Sequence, residues 1–392
     1  MSDATTTAPK VLFEITEDKL NTGLRGFPIG TCRTSAVSPT LGVTYVGYTL
    51  EQLQDKSAEE VIYLILNKEL PNAEQTEAFK AEMAKRSEID PKVYEALKAL
   101  PKEGHPMEWL ITGLSLLGMT GKSAENDYKE DCLNLIARIS TLVAAIYRIR
   151  EGWGDPIPPR FDLPFAENFA HMIGLEEGGE VLADLLRLFY ILHMDHGGGN
   201  LSTFCGKAVA SGKADMYSSI AAAMAALYGP RHGRANQECL AFVKEVGTSD
   251  PVECEKRVRD IMASGGLVFG FGHAVLRQED PRATIQYAWG EKHFPENELV
   301  KTAITLRNVV PPILKENPKI QNPYPNVDAV SGSLLTAAGL TDPDYYTLLF
   351  GWSRVAGIAA QIVDERNYPG KKDGLAIYRP KYIAEGQPES RP

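Results

Sequence analysis

The chain has 392 residues, 44% apolar, 23% charged and 8% aromatic, a globular balance that excludes a wholly disordered chain or a collagen-like fibre. With 41 Lys and Arg against 51 Asp and Glu, the net charge is −10, which disfavours a broad electrostatic binder of nucleic acid or acidic membrane. At about 150 residues per domain the length suggests two or three domains, with enough buried surface to fold without disulfide or metal staples. No run of 18 uninterrupted apolar residues occurs, so no membrane span is expected. The first residues, MSDATTTAPK, have neither an apolar h-region nor an Arg-rich amphipathic pattern. The five cysteines, Cys32, Cys132, Cys205, Cys239 and Cys254, form no CxxC pair. Together these features predict a reduced, cytoplasmic chain.

In chain order, VLFEIT (11–16) and the stretch from Thr31 to Tyr48 read as short strands rich in Val, Thr and turn residues. From about residue 50 the period becomes helical. Ser57 and Glu60 form a capping box ahead of Val61, Ile62, Leu64 and Ile65. Asp90 caps a helix that opens on Pro91. Leu135, Ile136, Ile139, Leu142, Val143, Ile146 and Ile149 mark one face of a long helix over 128–151. Further helices are predicted over 181–193, 215–228, 251–263, 298–314 and 345–364. Gly and Pro clusters separate them, no repeat is present, and strands never alternate with helices in a βαβ rhythm. The predicted fold class is all-α, with short N-terminal strands.

Four of the seven histidines, His193, His196, His232 and His273, fall within one fifth of the chain. The last three sit beside glycines, in HMDHGGGN, GPRHGRAN and GFGHAVL, where little crowds a ligand. One such histidine reads equally as a packed core group; three in the same context point to a site. His193 and His196 are three apart and could share a helix face as zinc ligands, but no HExxH or Cys pair supports them. His193 reads better as a packing or supporting group. Gly270-Phe-Gly272 resembles a dinucleotide fingerprint, but Val275 replaces the third glycine and no βαβ unit surrounds it. Among Arg277, Arg282, Arg354 and Arg379, the bland reading is a surface charge. Arg354 fits that reading least, because GWSRVAG is an apolar helical stretch where an unpaired charge is costly. Asp328 in NPYPNVDAVSG reads as a helix N-cap or as a carboxylate base.

HMDHGGGN, GPRHGRANQE, GFGHAVLRQEDPR, NPYPNVDAVSG, FGWSRVAG and YRPKY occur in an order and spacing that resemble citrate synthase, closest to its mitochondrial, dimeric type. LRG (24–26) and HPM (105–107) extend the likeness over nearly the whole chain. The resemblance implies a tricarboxylic acid cycle acyltransferase that condenses acetyl-CoA with oxaloacetate, with no tightly bound cofactor and no metal. It implies that His232 stabilises the enol of acetyl-CoA, Asp328 takes the methyl proton and His273 polarises the ketone. His196, Arg282, Arg354 and Arg379 would bind the dicarboxylate, Arg379 reaching in from the second subunit of a homodimer. Gly270, Gly272, Arg277, Lys319 and Arg25 would hold coenzyme A. The implied organisation is a large helical domain over 1–233 and 340–392, interrupted by a small domain over 234–339.

Three positions depart from the family pattern. Gly197 stands where Glu is usual, Arg231 where Leu is usual, and Val46 where Arg is common. They bear on substrate choice and rate more than on fold. One methylene in a pocket is worth only about 1–3 kcal/mol, so 2-methylcitrate synthase using propionyl-CoA is an alternative. A non-catalytic paralogue is a second.

Overall fold

The computed structural model describes residues 11–24, 26–175, 179–273, 275–372 and 374–383. An antiparallel three-stranded sheet opens the fold: β1 (Ser35–Ser38), β2 (Gly42–Tyr45) and β3 (Tyr48–Thr49). Its register pairs Ser35 with Tyr45 and Thr44 with Thr49. Then come α1 (Leu50–Leu53), α2 (Ala58–Asn67), α3 (Ala73–Arg86), α4 (Pro91–Lys98), α5 (Pro106–Gly121) and α6 (Tyr128–Glu151). They are followed by α7 (Phe165–Ile173), α8 (Gly179–His193), α9 (Leu201–Ser211) and α10 (Met216–Leu227). The next five, α11 (Ala235–Val246), α12 (Pro251–Ala263), α13 (Pro281–His293), α14 (Glu298–Lys315) and α15 (Asp328–Ala337), pack largely on one another. Finally α16 (Asp344–Arg366) returns to lie against α5, α6, α8, α9 and α10.

Local sequence explains these boundaries. Ser57 accepts from the Glu60 amide while the Glu60 carboxylate accepts from the Ser57 amide, closing the expected capping box. Asp90 caps α4 ahead of Pro91. The long apolar stripe of α6 is buried almost throughout. That helix is long and apolar enough to cross a membrane, but 83% of its apolar window is buried inside the protein, as in a core helix. The core around α16 is aromatic. Trp352 lies 4.2 Å from Phe169 and 4.6 Å from Tyr190 between ring centres, and its indole donates to Ser140 Oγ at 2.8 Å.

Two expectations needed correction. VLFEIT forms no strand; 11–16 has no regular secondary structure, and its apolar side chains stay exposed. Alternating hydrophobicity there has no neighbouring strand to pair with. The helices α3, α5, α7, α9 and α11 were not anticipated. α3 is mostly polar, and α5 is apolar and glycine-containing on several faces, so neither shows a clean 3.6-residue stripe.

Candidate active site

Four chain segments converge on one buried polar cluster. The turn after α8 carries His196. The loop before α13 brings His273, and the rings of these two histidines lie 5.6 Å apart. α13 contributes Arg282, one residue into the helix that Asp280 caps. Asp280 also holds the Arg282 guanidinium, at 2.7 Å from Nη2 and 3.0 Å from Nε, and both residues are buried. α16 supplies Arg354, 2% exposed, whose Nε donates to the His193 carbonyl at 2.8 Å and whose guanidinium lies 4.5 Å from the Phe350 ring centre. Asp328 is the first residue of α15, and its side chain makes no capping bond. The N-cap position is Val327, so the N-cap reading of Asp328 is excluded, and its carboxylate makes no hydrogen bond among the described residues.

His232 lies in the turn between α10 and α11. The turn is closed by His232 N donating to the Gly229 carbonyl and Gly233 N to the Leu227 carbonyl. Its Nε2 accepts from the Ser202 amide at 3.1 Å, at the N-terminus of α9, and meets the Ser202 hydroxyl at 2.9 Å. With Nε2 accepting, the neutral ring carries its proton on Nδ1. His273 has the opposite arrangement: Nδ1 accepts from the Val275 and Leu276 amides, both at 3.0 Å, so the proton sits on Nε2. Each ring thus offers one N–H donor of fixed direction.

Electrostatics set the charge states. Desolvation, helped by Arg354, lowers the His232 pKa to about 4. Desolvation and Arg282 lower His273 as well. His196 is held well below its ordinary value by desolvation, Arg282, Arg354 and His273. All three are neutral donors at neutral pH. Asp328 moves the other way: desolvation raises it to about 6, while Arg282 and Arg354 pull it down and Asp280 pushes it up. A carboxylate near this value is ionised at neutral pH yet remains a usable proton acceptor. Desolvation lowers Arg354 to about 10, against the opposing influence of Asp195, so it stays cationic. Among the described residues it makes no ion pair within 4.0 Å, and its Nη groups make no hydrogen bond. Those donors suit an anion.

Not every expected residue joins this cluster. Arg379 is exposed on the C-terminal tail, where Tyr378 packs on Phe204 of α9 and donates its amide to Ser211 Oγ. Lys319 is exposed in the loop after α14. Arg277 is exposed, with its amide on the Pro39 carbonyl. Gly270 and Gly272 adopt φ of +82° and +90° in a loop stapled to 324–326 through Gly270 O and Gly272 N. Arg25 lies outside the described residues. His193 is buried against Phe189, with Nδ1 at 2.9 Å from the Phe189 carbonyl, and α8 ends there, so His193 and His196 share no helix face. Sequence reasoning missed Asp280, Asp195, Ser202 and Gln361; only Asp280, in its Asp-Pro capping context, left a readable signal.

The sequence profile described as citrate synthase, C-terminal domain, matches residues 23–381. The chain belongs to the citrate synthase family. It is 37% identical to Citrate synthase 4, mitochondrial, of Arabidopsis thaliana, over 95% of this chain and 83% of that one. It is 35% identical to the peroxisomal citrate synthase of Saccharomyces cerevisiae, over 92% of this chain and 82% of that one. Among solved structures, citrate synthase from Thermotoga maritima superposes with a TM-score of 0.80 at 29% identity, covering 95% of this chain and 98% of that one. A Thermoplasma acidophilum citrate synthase in ternary complex with carboxymethyl coenzyme A and oxaloacetate gives 0.81 at 27% identity, covering 94% of this chain and 97% of that one. The chain is accordingly a citrate synthase family enzyme, a condensing acyltransferase with an all-α fold.

The cytoplasmic expectation is corrected by the sequence relatives, the plant and yeast enzymes, which are mitochondrial or peroxisomal. Unpaired cysteines report a reduced state, not a compartment, and the composition of one end of a sequence excludes no address. Two departures from the family pattern also gain a physical setting. Gly197 has φ +69°, so a side chain there is strained although its Cβ would meet only Val37, at an ordinary 3.8 Å. Arg231 is exposed in the turn that carries His232.

Proposed function

We propose that the cluster catalyses condensation of acetyl-CoA with oxaloacetate. The His232 Nδ1–H donates to the thioester carbonyl, and the Asp328 carboxylate takes a proton from the methyl carbon. The resulting enol carbon attacks the ketone carbon of oxaloacetate, whose oxygen receives a proton from His273 Nε2. Water then hydrolyses the citryl thioester, releasing citrate and the coenzyme A thiol. His196, Arg282 and Arg354 hold the two carboxylates. The observation that carries this reading is Asp328, raised to about 6 in one cluster with two neutral, oppositely tautomeric histidines. These groups meet the reaction's three needs: a base for a weak C–H acid, a donor for the enol oxygen and a donor for the ketone.

Coenzyme A would run along the Gly270–Arg277 loop, with the exposed Arg277 and Lys319, together with Arg25, as cations for its phosphates. The small domain over 234–339, comprising α11 to α15, would close on the large one and exclude water. A homodimer completes the site. α5, α9 and α10 pack side by side and leave apolar or small groups open, including Met119 at 78% and Leu201 at 52% exposure. Tyr378 holds the tail along α9, which would carry the partner subunit's Arg379 across that interface. Mixing Arg379→Ala chains with Asp328→Asn chains tests the sharing. Hybrid dimers regain activity at one of two sites if Arg379 crosses over, and regain none if each chain is self-sufficient.

A further inference from the structure

The turn 193–197 carries His196 between two buried arginines, so its own backbone must be held firmly. Its N-terminal end is tied by Arg354 to the His193 carbonyl. In the middle, Asp195 is fully buried; its Oδ1 accepts from the His196 amide at 2.8 Å and its Oδ2 from Thr34 Oγ1 at 2.8 Å. Gln361, buried on α16, spans the residue that matters. Its Nε2 donates to Asp195 Oδ1 at 2.8 Å and to the Gly197 carbonyl at 3.1 Å, the neighbours immediately before and after His196.

The amide has one orientation that satisfies this arrangement. Its Oε1 faces Lys207 Nζ at 3.4 Å, and Lys207 can only donate. Lys207 is itself buried and paired with Glu365 at 2.7 Å. The ion pair therefore fixes which end of the amide meets Asp195. Gln361 lies seven residues after Arg354, two turns along one helix face. One rigid element thus sets both the guanidinium and the clamp on the His196 turn.

We propose that Gln361 is a positioning residue for oxaloacetate recognition, holding His196 in register with Arg354 through Asp195 and the Gly197 carbonyl. The inference rests on the reading of His196 as a dicarboxylate-binding group. Loss of two hydrogen bonds, one to a buried carboxylate, predicts a weakening of oxaloacetate binding of about tenfold or more. Coenzyme A recognition lies elsewhere and should stay unchanged.

The test uses full-length Gln361→Met and Gln361→Glu beside His196→Ala. KM for oxaloacetate and for acetyl-CoA, and direct oxaloacetate binding by calorimetry, are measured on each. Gln361→Met should raise KM for oxaloacetate about tenfold and leave KM for acetyl-CoA within about twofold. Gln361→Glu faces the Asp195 carboxylate and can donate only when protonated. Its oxaloacetate affinity should recover as pH falls, a response absent from the wild type. Unchanged oxaloacetate affinity in Gln361→Met, or an equal rise in both KM values, overturns the inference. If the two Gln361 variants keep wild-type affinity while His196→Ala loses it, only the positioning role fails. If His196→Ala also keeps it, the reading of the site itself fails.

Discussion

Asp328 carries the account at the scale of single residues. Its raised pKa means that the folded chain binds the carboxyl proton more tightly than the unfolded chain does. Stability is therefore lost as pH rises from 3.8 toward about 6, and the loss is complete above that. Asp328→Asn removes the cost, which is on the order of 3 kcal/mol at neutral pH. The variant should melt above the wild type at neutral pH and lose that advantage toward pH 4, as calorimetry would show. Its turnover should fall by about 10²–10⁴. A stabilised yet inactive variant is the signature of a catalytic carboxylate; a destabilised one marks a structural group. In the wild type, kcat/KM should fall as pH drops below about 6, where Asp328 gains its proton.

Among the elements, α16 matters most, because it brings Arg354 and Gln361 against the His196 turn. Gly357 makes that approach possible: a Cβ there would lie 2.2 Å from the Met194 carbonyl and 2.7 Å from Asp195 Cβ. Gly357→Ala must push the helix from the turn. It should destabilise the fold by about 1–3 kcal/mol in denaturant titrations and raise KM for oxaloacetate more than KM for acetyl-CoA. Wild-type stability in this variant would show that helix and turn are not in close contact. The boundaries of α6, α12 and α16 were readable from periodicity and from Asp-Pro or glycine punctuation. Local chemistry sufficed there. Asp195, Ser202 and Gln361 were not readable, since their partners lie 161, 30 and 166 positions away in the chain and only the tertiary fold brings them together. His232, His273, Arg282 and Arg354 were readable because charged and imidazole groups in glycine-rich or apolar settings are unusual enough to stand out.

At the level of the whole molecule, the −10 charge makes the two buried arginines a local reversal of sign. Oxaloacetate binding should therefore be less sensitive to ionic strength than coenzyme A binding, for which the expected cations Arg277 and Lys319 are exposed. Titrating KM for each substrate against salt would show the difference, and equal slopes would contradict it. The histidines impose a second global property. His193 is lowered to about 3 and His232 to about 4, both chiefly by desolvation, from an ordinary 6.5. The unfolded chain takes protons first, so stability is lost as pH falls below 6.5 toward those values. Melting temperatures should decline from neutral pH to about pH 5; a flat profile would mean that these rings are not buried neutral. The central claim is tested most directly by measuring coenzyme A thiol release with oxaloacetate and either acetyl-CoA or propionyl-CoA. Acetyl-CoA should be used with the higher kcat/KM, and Asp328→Asn should remove the release. A tenfold preference for propionyl-CoA, or undiminished release from Asp328→Asn, would contradict the account.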